Sequence, residues 1–468
     1  MKKPNILFFF TDDQRFDTIR ALGNPDIHTP TLDALVARGT VFENGYIMGG
    51  TAPAVCMPSR AMLHSGRSLF RLERMGQAIP ASHTTLGEAL RGAGYATFGT
   101  GKWHNGPASY ARSFSAGAEI MFGGMGDHWN VPACDYDPSG QYANMVPVCI
   151  NPTTTNKLRR HRCDHVHLGK HSSELFCDAA IEFLRNHRRA TPFFAYVSFM
   201  APHDPRTMPE RFLEMYDPET IPLPENYMPE HPFKIGWWGR DELLEENPRP
   251  AAAIRRHIAE YYAMITHLDH EIGRVLQALE ATGRAENTIL VFAGDNGLAV
   301  GRHGLMGKQS NYDHSLHVPL LFAGPGIPVG ERREAFAYLF DIFPTLCELA
   351  ELPIPDSVEG RSLVPALRDS SERIRTSLYG AYTDIHRSVR DGHYKLIEYV
   401  VEGERHTQLF DLVEDPNETR NLADHDAHAA TLARLRAELV RLREFYGDVR
   451  ETECAFWDGY RVARMAGA

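Results

Sequence analysis

No apolar run in the sequence approaches the roughly 20 residues that a bilayer-crossing helix requires, so no membrane span is expected. Positive charge is also short. Lys and Arg number 49 against 60 Asp and Glu, a formal net charge of -11. That balance repels the phosphate backbone of nucleic acid, so any anion must be captured by local groups. Cysteine is sparse: the seven residues Cys56, Cys134, Cys149, Cys163, Cys177, Cys347 and Cys454 are too few and too irregularly spaced for a disulfide framework. They fit an intracellular protein and equally a periplasmic one. Internal repeats and low-complexity tracts are absent, which excludes solenoid and fibrous classes. A secretory leader is not read either. In "MKKPNILFFFTDDQ" the apolar run stops after six residues at Thr11-Asp12-Asp13 and lacks a small-residue cleavage site. The chain as it stands is expected in the cytoplasm, and in the periplasm if its start has been trimmed.

What is present is a composition, 43% hydrophobic and 23% charged over 468 residues, that can bury a core. Buried apolar runs recur: "NILFFF" (5 to 10), "YATFGT" (95 to 100), "FFAYVSFM" (193 to 200), "TILVFAG" (288 to 294) and "PLLFAGPG" (319 to 326). Their lack of polar alternation predicts strands covered on both faces, as in a parallel sheet. Helical stretches such as "SSELFCDAAIEFLRNH" lie between them, and the alternation predicts an α/β domain with helices on both faces of a mostly parallel sheet. From about residue 370 the pattern becomes short strands ("SLYGAY", "HRSVRDGHYKLIEYV", "TQLFDL") and a closing helix over 426 to 446. The expected division is a catalytic α/β domain over 1–369 and a smaller α+β C-terminal subdomain over 370–468.

Polar residues follow the apolar runs. Asp12 and Asp13 follow the first, Lys102 and His104 the second, His203 the third, and Asp295 and Asn296 the fourth. Carboxyl ends of strands form the ligand-binding edge of an open α/β sheet. Any one of these is explained by a capped turn; four converging segments are not. Three carboxylates and an amide carbonyl make a hard oxygen set suited to Ca²⁺ or Mg²⁺. A thiolate from Cys56 is a poor match for such a set.

"CMPSR" at 56 to 60 resembles the Cys-x-Pro-Ser-Arg motif of the type I, formylglycine-dependent sulfatases of the alkaline phosphatase superfamily. "TDDQ", "GTGKWHNG", "APHDP" and "GDNG…GRHGLMGKQSNYDHS" are similar to that family's blocks in order and spacing, from residue 4 to about 325. "RSVRDGHYKLI" and "QLFDLVEDPNETRNL" resemble its C-terminal part. The resemblance implies that a maturation enzyme oxidises Cys56 to formylglycine, whose hydrate presents oxygen to the metal and so removes the mismatch. One hydroxyl then attacks sulfur, and the other later loses its proton as sulfate is expelled.

By the same resemblance Asp12, Asp13, residue 56, Asp295 and Asn296 hold one divalent cation, Ca²⁺ favoured over Mg²⁺, and Arg60 steadies the diol. Lys102 contacts the sulfate, and His104 is the base for the second hydroxyl. His203 and Lys308 neutralise the sulfate oxygens and protonate the leaving alcohol. If a helix starts at "PSRAMLHSG", Pro58 suits its first turn and the N-terminus offers N–H groups to an anion. Two departures are visible: Asn105 where Leu is commoner, and His317 where Arg is commoner before Val-Pro.

Other histidines are given plainer readings. His267 and His270 are expected on the face of a long amphipathic helix. "HRCDHVHLGKH" at 161 to 171 lacks a second ligand pair at finger spacing and is read as a polar rim. The expected activity is hydrolysis of a sulfate ester, of a sulfated carbohydrate or an aryl sulfate. The competing readings are a phosphonate or phosphate ester hydrolase on the same scaffold and a silent binder of sulfated glycans.

Overall fold

The computed structural model describes residues 3–149, 151, 153–187, 190–236, 239–448, 455–458 and 460; Cys454 lies outside them. The elements that position the site are, in chain order, β1 (Asn5–Thr11), α1 (Pro30–Arg38), β2 (Gly39–Tyr46), α2 (Cys56–Ser65), β3 (Ala96–Lys102), β4 (Ala116–Met121), α3 (Ser172–Asn186), β5 (Phe193–Ser198), α4 (Ala251–Ala281), β6 (Thr288–Gly294), β7 (Leu320–Ala323) and β8 (Glu331–Tyr338). Their strands form one eight-stranded sheet in the order β8-β2-β7-β6-β1-β5-β3-β4. A second sheet contains β9 (Leu378–Tyr382), β10 (His386–Arg390), β11 (Tyr394–Val401) and β12 (Glu404–Asp411), with α5 (Ala429–Tyr446) following it.

The uninterrupted apolar runs follow from burial on both faces. In β1, Ile6, Phe8 and Phe10 join one hydrophobic cluster with α2 and the C-terminal part. Leu7 and Phe9 join the opposite cluster, with α1, α3 and α4. Alternate residues of one strand thus feed two cores, which leaves no polar face to be seen in the sequence. β1 pairs in parallel with β5 and β6, and β5 with β3. The run "PLLFAGPG" departs from the parallel expectation: β7 runs antiparallel to both β6 and β2. Apolarity along a strand reports burial on two faces and not direction, so it does not distinguish these cases.

The second sheet is knitted into the first part of the chain, because Gly49–Gly50 adds to β9 as a parallel strand. Gly49 has φ +86, and a Cβ there would lie 2.0 Å from the carbonyl oxygen of Ala381, so only glycine allows this approach. The segment after α5 is fastened by Asp448, which accepts hydrogen bonds from Arg387 Nε at 2.6 Å, the Tyr379 hydroxyl at 2.6 Å and Trp457 Nε1 at 2.9 Å. Burial alone would raise the Asp448 carboxyl; the adjacent Arg387 guanidinium and these bonds outweigh it and hold the pKa below the usual range.

A depressed carboxyl contributes stability that is complete above the unfolded aspartate value of about 3.9 and is lost as pH falls through the lower folded value. Asp448→Ala is therefore expected to cost about 3 kcal/mol at neutral pH, the scale for unpairing a buried charge. The gap in Tm from the unsubstituted protein should narrow as the scan is repeated toward pH 3. A gap that is constant with pH would mean that the aspartate acts by packing alone.

Candidate active site

The carboxyl ends of β1, β3, β5 and β6 meet at one edge of the large sheet. Backbone bonds from Asp12 N to Ala201 O and from Asp295 N to Thr11 O, each 3.0 Å, tie three of these ends together. Asp13 takes a left-handed conformation, φ 60, which an aspartate tolerates better than most residues. It allows both Asp12 and Asp13 to serve the same site. Asp13 N donates to Asp295 Oδ1 at 3.0 Å, and Asn296 Nδ2 donates to Asp13 Oδ1 at 2.7 Å. In β3, Gly101 has φ +87, and a Cβ would lie 1.8 Å from the Ser198 carbonyl oxygen. Glycine there brings β3 against β5 just before Lys102.

Cys56 is the first residue of α2 and is buried, with Pro58 in that first turn. The helix begins two residues earlier than a start at Pro58, so residue 56 itself faces the site. Lys102 Nζ lies 3.7 Å from its Sγ and also donates to Asp12 Oδ2, while His104 Nδ1 lies 3.4 Å from the Sγ. Strand β3 ends at Lys102, so His104 reaches this sulfur from the following loop.

Arg60 lies across the carboxylates. Its Nε donates to Asp295 Oδ2 at 2.8 Å, Nη2 to Asp12 Oδ2 at 3.1 Å and Nη1 to Ser198 Oγ at 2.6 Å, and its guanidinium stands 5.0 Å over the Phe10 ring. Nη1 and Nη2 also donate to the carbonyls of Lys102 and Phe199, each at 3.4 Å, so Arg60 is held by two carboxylates, a hydroxyl and two strand-end carbonyls. Lys308 Nζ donates to both oxygens of Asp13, at 2.6 and 2.8 Å, and His203 Nε2 is 3.7 Å from Asp13 Oδ2. All the expected site residues are thus brought together.

The electrostatics of the cluster follow from its burial. Asp12, Asp13, Asp295 and Asn296 are fully enclosed. Burial pushes Asp13 up to about 7, and burial together with the nearby Asp12 pushes Asp295 up to about 6. Asp12 moves the other way: burial opposes its charge, but Lys102 and Arg60 hold it ionised. Burial pushes the Cys56 thiol up to about 11, against the pull of Lys102, so a thiolate nucleophile at neutral pH is disfavoured. His104 is held well below the usual imidazole value by burial and then by Lys102 and Arg60. It is neutral at physiological pH, which leaves one ring nitrogen able to accept a proton.

Two buried oxygens, Asp12 Oδ1 and Asn296 Oδ1, have no hydrogen-bond partner. Stranded buried acceptors are costly, and together with the carboxylates they compose an oxygen donor set that fits a hard divalent cation. Donor atoms of Asp12, Cys56 and Asp295 lie within 4.8 Å of one another. The Cys56 Sγ thus stands beside the oxygens of this set.

Several contributors were not read from the sequence. Ser198, which accepts from Arg60 Nη1, ends the strand Phe193–Ser198, where it and Tyr196 are the two hydroxyl-bearing residues among apolar ones, and that polarity was a signal. Asp204 pairs with Arg240, and Asp241 accepts from Gln309 at 2.8 Å. These bring the Pro-rich segment 202–250 to the site's rim, a contact that no local pattern encodes. Asn105 is buried and donates to Met57 O at 2.9 Å and Gly76 O at 2.6 Å, so it fastens the start of α2. His317 stacks between Phe16 and Tyr46 and bonds the Glu43 carbonyl. His267 is a helix-face residue as expected, buried against His171 and Phe212.

Comparison with known proteins agrees with this arrangement. The Sulfatase family profile matches residues 4–352, and the profile for the C-terminal part of N-sulphoglucosamine sulphohydrolase matches residues 301–445. An arylsulfatase of Clostridium perfringens is 29% identical over 94% of this chain and 94% of its own. A structure solved in complex with its substrate D-glucosamine-2-N,6-O-disulfate superposes with a TM-score of 0.77 at 22% identity, covering 97% of this chain and 100% of that one. A phosphonate monoester hydrolase from Silicibacter pomeroyi gives 0.71 at 24% identity, covering 95% and 96%; at such identities these two show a shared fold. With three quarters of its length matched and the buried Cys-x-Pro-Ser-Arg helix start set among the carboxylates, this chain belongs to the sulfatase family of the alkaline phosphatase superfamily.

Proposed function

We propose that this sulfatase cleaves the sulfate ester of a carbohydrate or an aromatic alcohol, with residue 56 acting as formylglycine beside one divalent cation, Ca²⁺ ahead of Mg²⁺. The observation that carries this reading is the placement of Cys56 at the N-terminus of α2, with Lys102 and His104 on its Sγ and the carboxylates of Asp12 and Asp295 beside it. The arylsulfatase relative and the neighbour bound to a sulfated glucosamine support the two substrate classes. A formylglycine-generating maturation enzyme is the implied partner.

The cation would be held by Asp12, Asp13, Asp295, Asn296 and the residue 56 oxygen, and when bound it supplies Lewis-acid stabilisation of negative charge on oxygen. Lys102 and Lys308 face the same space and offset the charge of the sulfate oxygens. His104 Nδ1, 3.4 Å from the residue 56 heteroatom, takes a proton from the group there. His203 donates Nδ1–H to the Asp204 carbonyl at 2.8 Å, which turns Nε2 toward Asp13 and the substrate space. Burial lowers His203 to about 4, and Lys308 adds to that effect; an incoming sulfate anion opposes it, so that Nε2 carries a proton to the leaving alcohol when substrate is bound.

Matched esters of one alcohol test the reading. Turnover, measured as kcat/KM, is expected to favour the sulfate over the phosphate or phosphonate ester, because discrimination is a difference in transition-state stabilisation. His203→Ala is expected to slow alkyl or sugar sulfates by about 10²-fold or more and nitrophenyl sulfate far less, since nitrophenolate departs without a proton. A phosphonate ester turned over faster across matched pairs would assign the chain to the alternative chemistry. A fully matured protein that binds sulfated glycans and releases no sulfate from any of them would make it a binder.

A further inference from the structure

Outside the catalytic cleft, three metal-ligating side chains meet where the edge of the large sheet joins the inserted segment 122–171. His165 and His167 lie two apart on the strand His165–Leu168, so their side chains leave one face. That strand pairs antiparallel with Asn130–Ala133. Glu119 belongs to the edge strand β4. Thr100 pairs with Ala118 and Gly101 with Ile120, so Glu119 is the extra residue of a bulge, and its φ is 51. A bulge re-aims a side chain, and this one turns Glu119 onto both imidazoles. Backbone bonds between Ile120 and Cys134, at 3.0 and 2.8 Å, hold the two pieces in place.

The donor atoms converge closely. Glu119 Oε2 lies 3.0 Å from His165 Nε2 and 2.8 Å from His167 Nε2, and the three atoms all lie within 4.8 Å of one another. Ligands at about 2.0–2.2 Å from a tetrahedral ion stand about 3.3 Å apart, so a small expansion accommodates one. The imidazole rings are inclined at 85°, which directs the nitrogens together without stacking. His167 Nε2 is buried and makes no hydrogen bond, although Glu119 Oε2 is so near. That oxygen is instead hydrogen-bonded to His165 Nε2, which leaves the His167 nitrogen buried beside it without a partner. The side chains of all three remain partly open to solvent, which leaves an entry path and room for water.

We propose that Glu119, His165 and His167 bind a Zn²⁺-class divalent cation, with water completing a four-coordinate shell. Two imidazoles and one carboxylate suit Zn²⁺, in contrast to the all-oxygen preference of Ca²⁺. The sequence of 161–171 shows no finger-like spacing because the third ligand comes from 46 residues before His165. The ion ties the inserted segment to the sheet edge. That segment also walls the cleft: a Cβ on Gly124 would lie 2.7 Å from His104 Cε1 and Nε2. The site thus braces one side of the catalytic opening, and it stands whatever ester the enzyme cleaves.

The test uses the full chain, stripped with a chelator, reloaded with excess Ca²⁺ and dialysed against Zn²⁺, with metal content read by elemental mass spectrometry. The unsubstituted protein is expected to retain one equivalent of Zn²⁺ that His165→Ala and Glu119→Gln lose. Co²⁺ in place of Zn²⁺ should give the intense visible bands of a four-coordinate ion in the unsubstituted protein. Equal Zn²⁺ retention by the unsubstituted protein and both variants overturns the proposal. So does a Co²⁺ spectrum showing six-coordinate metal alone, a result that needs no variant to fold.

Discussion

Protein whose residue 56 is still cysteine is expected to show no sulfate ester turnover beyond its matured fraction, and Cys56→Ala is expected to lose about 10⁴-fold or more in kcat, the scale for removing a nucleophile. The reason lies in the surroundings of the sulfur. Burial pushes the thiol up to about 11, so the thiolate is scarce at neutral pH, and a soft sulfur is a poor partner for the carboxylate-bound cation proposed here. Neither obstacle applies to an aldehyde hydrate. Mass spectrometry of the peptide spanning residue 56 should show sulfur replaced by oxygen with loss of two hydrogens, and the converted fraction should rise in proportion to kcat across preparations. Full activity in a preparation that contains cysteine alone would refute the proposed chemistry.

Asp295→Asn is expected to remove the divalent cation and turnover together, with kcat/KM down by about 10³-fold or more, the loss of a centre that supplies several kcal/mol of charge stabilisation. Asp295 Oδ1 accepts from Asp13 N and Oδ2 from Arg60 Nε. The substitution therefore keeps the shape of the side chain while removing one of three buried carboxylates. It also leaves Arg60 with Asp12 as its one carboxylate partner among the described contacts. Elemental analysis after dialysis, run beside kinetics with added Ca²⁺, separates the effects. Normal metal content with lost activity would move Asp295 from cation binding to positioning of Arg60. Normal activity in metal-free protein would remove the cation from the reaction.

How much of this was legible in the chain varied by feature. The strands β1, β3, β5 and β6 were readable as apolar runs because both sheet faces are buried. β2, β4 and β8 were not, since "GTVFENGY", "AGAEIM" and "ERREAFAY" carry polar or small residues. β4 and β8 lie at the sheet's edges, where one side of the strand needs no apolar cover. Asp12, Lys102, His203 and Asp295 were legible because each follows a readable strand, and a strand's carboxyl end is a place that sequence order can specify. The Ser198 contact to Arg60, the Asp204–Arg240 pair and the Glu119 turn toward His165 and His167 depend on segments far apart in sequence, and no local pattern announces them.

The chain's own order of residues determined the sheet-forming runs, the family and the identity of the side chains at the catalytic edge, because those depend on local burial and on motifs a few residues long. Tertiary structure alone decided that β7 runs antiparallel, that Arg60 bonds Asp12 and Asp295, that Gly49–Gly50 completes the second sheet, and that a glutamate in a bulge faces two histidines. Each of these is set by which surfaces pack together once the chain has closed. Direction, partner and approach distance are properties of pairs of segments, and a single segment's sequence carries half of each pair.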